Sequence, residues 1–386
     1  MAGSARRGVV LTSAELDGVS PTADWSYWIS TGRAPAGFDH GIDVQRWTDD
    51  LEQVASLGAN EVVLTVEWAR LEPEPGRHDP VATMLTRDVI VAARDRGLTV
   101  WLCLLDGTAP GWFTYDEHGF ADGHARRLLW PRHVEWVGET FGDLADGWVP
   151  MREPAHLGVR ARLIDKAPPG GTNPVKAAEA VRDLALAEAE AWRILRGSAP
   201  VATYQTARVF VPERSAEHGT TNVKASREVG HLDDLFLRPW LQAIVDGTVQ
   251  AGNLPGRPVA DLADAFDQVF VQLRPPIVVD GDGGWHLHPQ ANVIDRLAEG
   301  LSRVADHVGD RPLCAVADLA PAPTSEPSRA DYLGELMAAA ADVGVDGWFQ
   351  SSPIDGWHWE AGEHLEPGIV ARDRSERPSA GVFGSA

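Results

Sequence analysis

The run Trp148-Val-Pro-Met-Arg-Glu-Pro154 concentrates chemistry in a few residues, a carboxylate, Glu153, following directly on a cation, Arg152. The stretch 133–145 has the spacing of an amphipathic helix, and the apolar residues after it read as a short buried strand that ends at Glu153. Parallel α/β folds gather reacting groups beyond the C-terminal ends of their strands, so Glu153 is a candidate acid, base or nucleophile. Capping of a helix is the plainer role for the same residue. Arg152 beside it favours the ionised carboxylate, which suits a base or an ion pair better than a proton donor. Asp106 closes another strand-like run and reads either as a second carboxylate at the same end or as the loop residue of an Asp106-Gly107 turn.

The elements that must position these groups alternate along the chain. Apolar periodicity predicts helices over 43–57, 84–95, 176–196, 293–304 and 329–343. Strands are predicted over 61–67, 98–105, 200–204, 267–273, 312–316 and 346–350. Repeated strand–helix units imply a parallel sheet, and about eight of them imply a closed α/β (β/α)8 TIM barrel. No Gly/Ser or Pro tract divides the chain, so residues 1–386 read as one domain. The stretches 108–132 and 274–289 read as loops over the barrel mouth.

Composition narrows the partners. The formal net charge is −22, which argues against nucleic acid and anionic membranes. No apolar run approaches the ~18 residues of a membrane span. The N-terminus lacks a secretory pattern, and Cys103 and Cys314 each lie in an apolar strand-like run, so reduced core cysteines and a cytoplasmic location are expected.

Within this frame several segments, in order, resemble family 1 glycoside hydrolases, the retaining β-glycosidases. They include Asp24-Trp-Ser-Tyr-Trp28, Asp49-Asp-Leu51 with Leu57-Gly58, and Glu67-Trp-Ala-Arg-Leu-Glu-Pro-Glu-Pro-Gly-Arg77. Pro110-Gly-Trp-Phe113, Trp148 with Glu153-Pro154, and Pro168-Pro-Gly170 follow. Gly284-Trp-His-Leu-His-Pro289, Asp346-Gly-Trp-Phe349, Asp355-Gly-Trp-His-Trp359, Gly368-Ile-Val370 and Arg377-Pro-Ser-Ala380 complete the series. The resemblance implies a small-molecule glycoside or related ligand at the barrel mouth and makes Glu153 the acid/base. It implies no cofactor. His286 and His288 have His-x-His spacing, but that run fits the family's Gly-Trp-x-x-x-Pro strand, and no metal is expected.

The departures bear on mechanism. A retaining glycosidase sets two carboxyl groups about 5–5.5 Å apart, one acid/base and one nucleophile. Where the family has Ile-Thr-Glu-Asn-Gly this chain has Ala315-Val-Ala-Asp-Leu319. Aligned without a gap, Ala317 takes the nucleophile's place. Shifted by one, Asp318 does, with a shorter side chain. The family's strand-two Arg is Val63, and its Tyr after strand six is Leu273. Both normally accompany the nucleophile, and their joint loss fits the ungapped alignment, because only a buried anion needs them. In the sugar-holding shell the N-terminal Gln falls at Leu16 or in a deletion beside it, the strand-three His is Asp106, and the Asn before the acid/base is Arg152. Ser351 replaces a Trp and His358 a Glu in the strand-eight loop, while Trp359 persists and Trp112 retains its aromatic ring.

Two readings follow. One is glycoside processing with Glu153 as acid/base and Asp318 or Asp106 as second carboxylate. The other is an inactive barrel that binds a ligand or partner, or one recruited to a non-sugar substrate. Arg152, His358, Trp359, Ser351 and Trp112 are the candidate ligand contacts in either case.

Overall fold

A computed structural model of the chain describes residues 6–37, 39–214, 220–287, 292–319, 326–359 and 366–385. Eight parallel strands form the central sheet: β1 Arg6–Leu11, β2 Glu61–Thr65, β3 Thr99–Cys103, β4 Gly147–Val149, β5 Ala202–Ala207, β6 Gln268–Leu273, β7 Leu313–Ala317 and β8 Gly347–Ser351. Their order is β4-β3-β2-β1-β8-β7-β6-β5. Parallel bridges Trp148↔Val201 and Arg152↔Tyr204 join the two ends and close the barrel. The fold is the (β/α)8 TIM barrel.

Strand alternation sorts side chains to two sides of this wall. Inward positions supply Val10, Val63, Trp101, Cys103, Val149, Tyr204, Phe270, Val316 and Phe349, a packed filling. Cys314 belongs to the same layer, and both cysteines are free. The large rings fit because two strands offer no side chain opposite them. A Cβ on Gly8 would stand 2.0 Å from Phe349, and one on Gly147 would stand 2.2 Å from Trp101. Outward positions, among them Val9, Val62, Leu64, Leu273, Ala315 and Ala317, pack against the helices.

Helix starts follow local chemistry. Asp43, Asp79 and Asn173 each accept two backbone N–H bonds at the head of Val44–Ser56, Pro80–Asp95 and Pro174–Leu195. Such caps contribute about 1 kcal/mol each, and Pro at the first turn of the latter two gives up no needed donor.

Two expected loops contain regular structure. The stretch 108–132 holds the helical turns Trp112–Asp116, Gly119–Ala121 and Ala125–Leu129. The stretch 274–289 supplies strands Ile277–Val279 and Trp285–Leu287, which with Phe210–Pro212 make a small separate sheet. β1 has no counterpart among the predicted strands; its apolar tetrad is too short to stand out by periodicity. Among the described residues no helix is long and apolar enough to cross a membrane.

Candidate functional site

The C-terminal end of the barrel carries a dense polar layer. Glu153 heads the helix Pro154–Arg162 in a left-handed backbone conformation, φ 50° and ψ 51°. For a non-glycine residue that costs about 1–3 kcal/mol, and strain of this kind concentrates where a side chain must be aimed. Glu153 N–H donates to Tyr204 O at 2.9 Å, which fixes the bend against β5. The carboxylate is 5% exposed, and it accepts from Thr206 Oγ1 at 2.7 Å and from Arg274 Nε at 3.0 Å. Arg274 Nη2 donates to its second oxygen.

Arg274 also reaches the end of the neighbouring strand β7, where its Nη1 donates to Asp318 Oδ2 at 3.2 Å. One guanidinium therefore links Glu153 and Asp318. Burial alone would raise the pKa of Glu153, but the charge and hydrogen bonds of Arg274 outweigh it and hold the carboxyl well below the usual range. Arg274 is shifted upward in turn, its partners' charges overcoming burial.

A second arginine organises the centre. Arg152 Nη1 donates to Asp106 Oδ2 at 3.2 Å, and its Nη2 donates to Ser351 Oγ at 2.7 Å and Gln272 Oε1 at 3.2 Å. Thr65 Oγ1 donates to the same oxygen of Asp106 at 3.2 Å, and Tyr204 Oη donates to Gln272 Oε1 at 2.8 Å. Beside this group stands Glu15, whose two oxygens lie 3.0 and 2.9 Å from the Ser352 hydroxyl. Burial pushes its carboxyl up to about 7, with Arg152 opposing.

The structure thus brings together Glu153, Asp318, Asp106, Arg152 and Ser351. Trp359 lies at the edge, its ring 4.5 Å from that of Trp25 and 4.9 Å from that of Trp357, so one face is already covered. His358 precedes it, half-buried. Trp112 is elsewhere: its Nε1 donates to Glu72 O at 3.0 Å and its ring packs on Trp68 in the outer core. His286 bonds Asp280 at 2.9 Å, and His288 lies outside the described residues. Among the described residues no group of three His, Cys, Asp or Glu side chains is placed to hold a metal. Behind the loop at Gly107 a cavity of about 80 Å³ is lined mainly by apolar side chains, including Leu105, Phe113, Phe120 and Leu157.

Arg274, Gln272, Tyr204 and Glu15 were missed in the sequence. The signal was strand parity. Leu273, which stands at the place of the family's Tyr, faces the outer core, so its neighbours Gln272 and Arg274 turn inward. The same parity turns Ala317 outward and Asp318 to the mouth. Glu15 adjoins Leu16, where the N-terminal Gln was sought.

No protein-family model matches the chain. Among curated proteins it is 27% identical over 203 residues to β-glucosidase A of Thermotoga maritima, a match spanning 49% of this chain and 44% of that one. The matched stretch is thus under half the length of that relative. Among solved structures, a β-glycosidase from Pyrococcus horikoshii superposes with a TM-score of 0.82 at 22% identity, covering 98% of this chain and 93% of that one. A Thermotoga maritima β-glucosidase in complex with deoxynojirimycin gives a TM-score of 0.82 at 18% identity, covering 100% and 97%. The chain thus has the barrel fold of these β-glycosidases and is similar in part of its sequence to β-glucosidases.

Proposed function

We propose that this chain is a glycosidase-type barrel that holds a glycoside or related small ligand at its mouth without the retaining hydrolysis of β-glucosidases. The observation that carries this reading is Arg274, bonded to Glu153 on one side and to Asp318 on the other. In a retaining mechanism the anomeric carbon must lie between the two carboxyl groups. Here a guanidinium lies between them. Glu153 is held ionised by that contact and has no proton to give a leaving oxygen, a contribution worth typically 10²–10⁴-fold. Asp318 is the shorter carboxylate, and its lone pairs are engaged by the same cation.

A second reading keeps chemistry in the site, with Glu153 as a base and Asp318 or Asp106 as the second carboxylate. The strained, left-handed seat of Glu153 at the end of β4, which aims its carboxylate into the mouth, favours it. Aryl glycosides decide between the two. With a panel of p-nitrophenyl β-glycosides we expect binding detectable by calorimetry, but no burst of nitrophenol and no turnover above the Glu153→Gln background. Turnover that Glu153→Gln abolishes would establish the second reading instead, and a panel with no binder would remove the first.

A further inference from the structure

One cation at the mouth is not used by the network described above. Arg208 stands directly after β5, half-buried, and its Nε is buried without a hydrogen-bond partner. Strand register sets it beside Arg274, whose N–H donates to Ala207 O at 3.0 Å; Arg274 and Arg160 act on it as like charges, Glu153 and Asp318 as opposite ones. Burial first, and then Arg274, push its pKa down to about 10. An arginine so placed has charge and donors to spare.

Other nitrogens around it are unpartnered as well. Nδ1 of His156, on the helix that begins after Glu153, is buried without a partner. Burial holds this imidazole far below its ordinary range, and Glu153, Arg274, Arg208 and Arg160 all act on it. Nε of Arg152 and Nε2 of Gln272 are buried and unpartnered as well. Three of the four are N–H donors outright, and Nδ1 of the neutral His156 donates in one of its two tautomers, so the partner that would complete them is rich in acceptor oxygens. The chain as a whole carries −22, so this convergence of arginines is a local arrangement and not a by-product of a basic surface.

We propose that Arg208 and Arg274, with His156 beside them, form an oxyanion subsite at the barrel mouth, and that the ligand is a sugar or glycoside bearing a carboxylate or a phosphate. The proposal rests on the reading that the mouth binds a glycoside-type ligand, and it names the class. An oxyanion on Arg208 supplies the acceptor this residue lacks. It also competes with Glu153 and Asp318 for Arg274, so seating the ligand loosens the contact that fills the space between the two carboxylates. Guanidinium groups suit the task because they bind carboxylate and phosphate in a planar, two-point fashion.

Calorimetric titration of the full chain with inorganic phosphate, glucuronate, glucose 6-phosphate and methyl β-glucoside tests this. We expect phosphate and at least one sugar anion to bind, the methyl glucoside at least about tenfold more weakly, and the stronger sugar anion to identify the group recognised. Arg208→Gln should weaken anion binding about tenfold or more, the scale of one charge-assisted pair, while Arg208→Lys restores part of it. Thermal melting confirms that both variants fold. Equal binding of anions and methyl glucoside, untouched by Arg208→Gln, would overturn the subsite and leave the mouth-binding reading standing. Binding of inorganic phosphate alone would overturn the sugar assignment. Failure of every probe, with aryl glycosides still bound, would overturn the proposal alone.

Discussion

The two ends of the barrel treat buried charge differently. At the N-terminal end Arg6 Nε and Nη2 donate to the two oxygens of Glu61 at 2.6 and 2.9 Å, and Trp101 Nε1 completes the set at 2.9 Å. The pair is bidentate and self-contained. At the C-terminal end Arg274 holds Glu153 and Asp318, Arg152 holds Asp106 and Gln272, Glu15 meets Ser352 beside them, and nitrogens of Arg152, Arg208, His156 and Gln272 remain without partners. Burying an unpaired polar group costs about 1–3 kcal/mol, so a chain under selection for stability alone would not gather four at one place. In TIM barrels the N-terminal face serves stability and the C-terminal face chemistry or binding. The contrast here has that form, although the groups at the mouth differ from those of a retaining glycosidase.

The largest expected effect comes from breaking the pair on each face in turn. Arg152→Met leaves the Asp106 side chain, 10% exposed, with Thr65 as its remaining side-chain donor among the described residues, and removal of one partner from a largely buried ion pair costs about 3–5 kcal/mol. Arg6→Met leaves Glu61 its bond from Trp101, and the Arg6 side chain is already 27% exposed, so the loss should be under half as large. Urea denaturation of both variants measures the difference, and equal losses would remove the contrast between the faces. Between the two ends, Gly8→Ala tests the apolar filling. Its methyl group would meet the Phe349 ring at 2.0 Å, well inside contact distance, and overpacking of this kind costs about 1–3 kcal/mol. A neutral outcome would mean that Phe349 has room to move and that the interior is less tightly filled than the mouth requires.

The legibility of the sequence follows the same division. The barrel could be read because its periodicities are long and repeated: Pro174–Leu195 has an apolar stripe along its whole length, and strands such as Gln268–Leu273 are continuous apolar runs broken by single polar residues. Boundaries shifted by up to four residues, as at the start of Pro80–Asp95, which left the fold unchanged. At the mouth a shift of one residue matters, because it exchanges the two faces of a strand. Leu273 therefore stands in the sequence as the place of a lost tyrosine and Arg274, its neighbour, as the start of a loop, although the strand turns Arg274 into the site. Glu153 and Arg152 were legible because they stand together in a recognisable run. The link between Arg274 and Glu153 joins positions 121 residues apart, and no local pattern encodes it. Trp112 shows the converse, a retained aromatic whose ring the fold uses in its core.

The smallest of the expected effects concerns protons at the mouth and tests whether its carboxyl groups are held in different states. Glu15 is raised to about 7 by burial, whereas Glu153 is held ionised by Arg274. For Glu15 the folded pKa exceeds the unfolded value of about 4.3, so the folded protein binds the extra proton. Its contribution to stability is therefore complete below about pH 4 and is lost as pH rises through 7. Glu153 acts in the opposite sense, since its folded pKa lies below the unfolded one. Its contribution is present above about pH 4.3 and is lost on acidification. Glu15→Gln should therefore flatten the fall in stability between pH 5 and 7 by up to about 1.4 kcal/mol per pH unit, the limit for one proton. Arg274→Met should instead change the acid limb, because Glu153, still buried and now without its guanidinium, becomes a group that prefers its proton. Urea denaturation at half-unit intervals from pH 4 to 8 separates the two. An unchanged slope in Glu15→Gln would place the Glu15 carboxyl in water, and the mouth would then hold one kind of carboxylate instead of two.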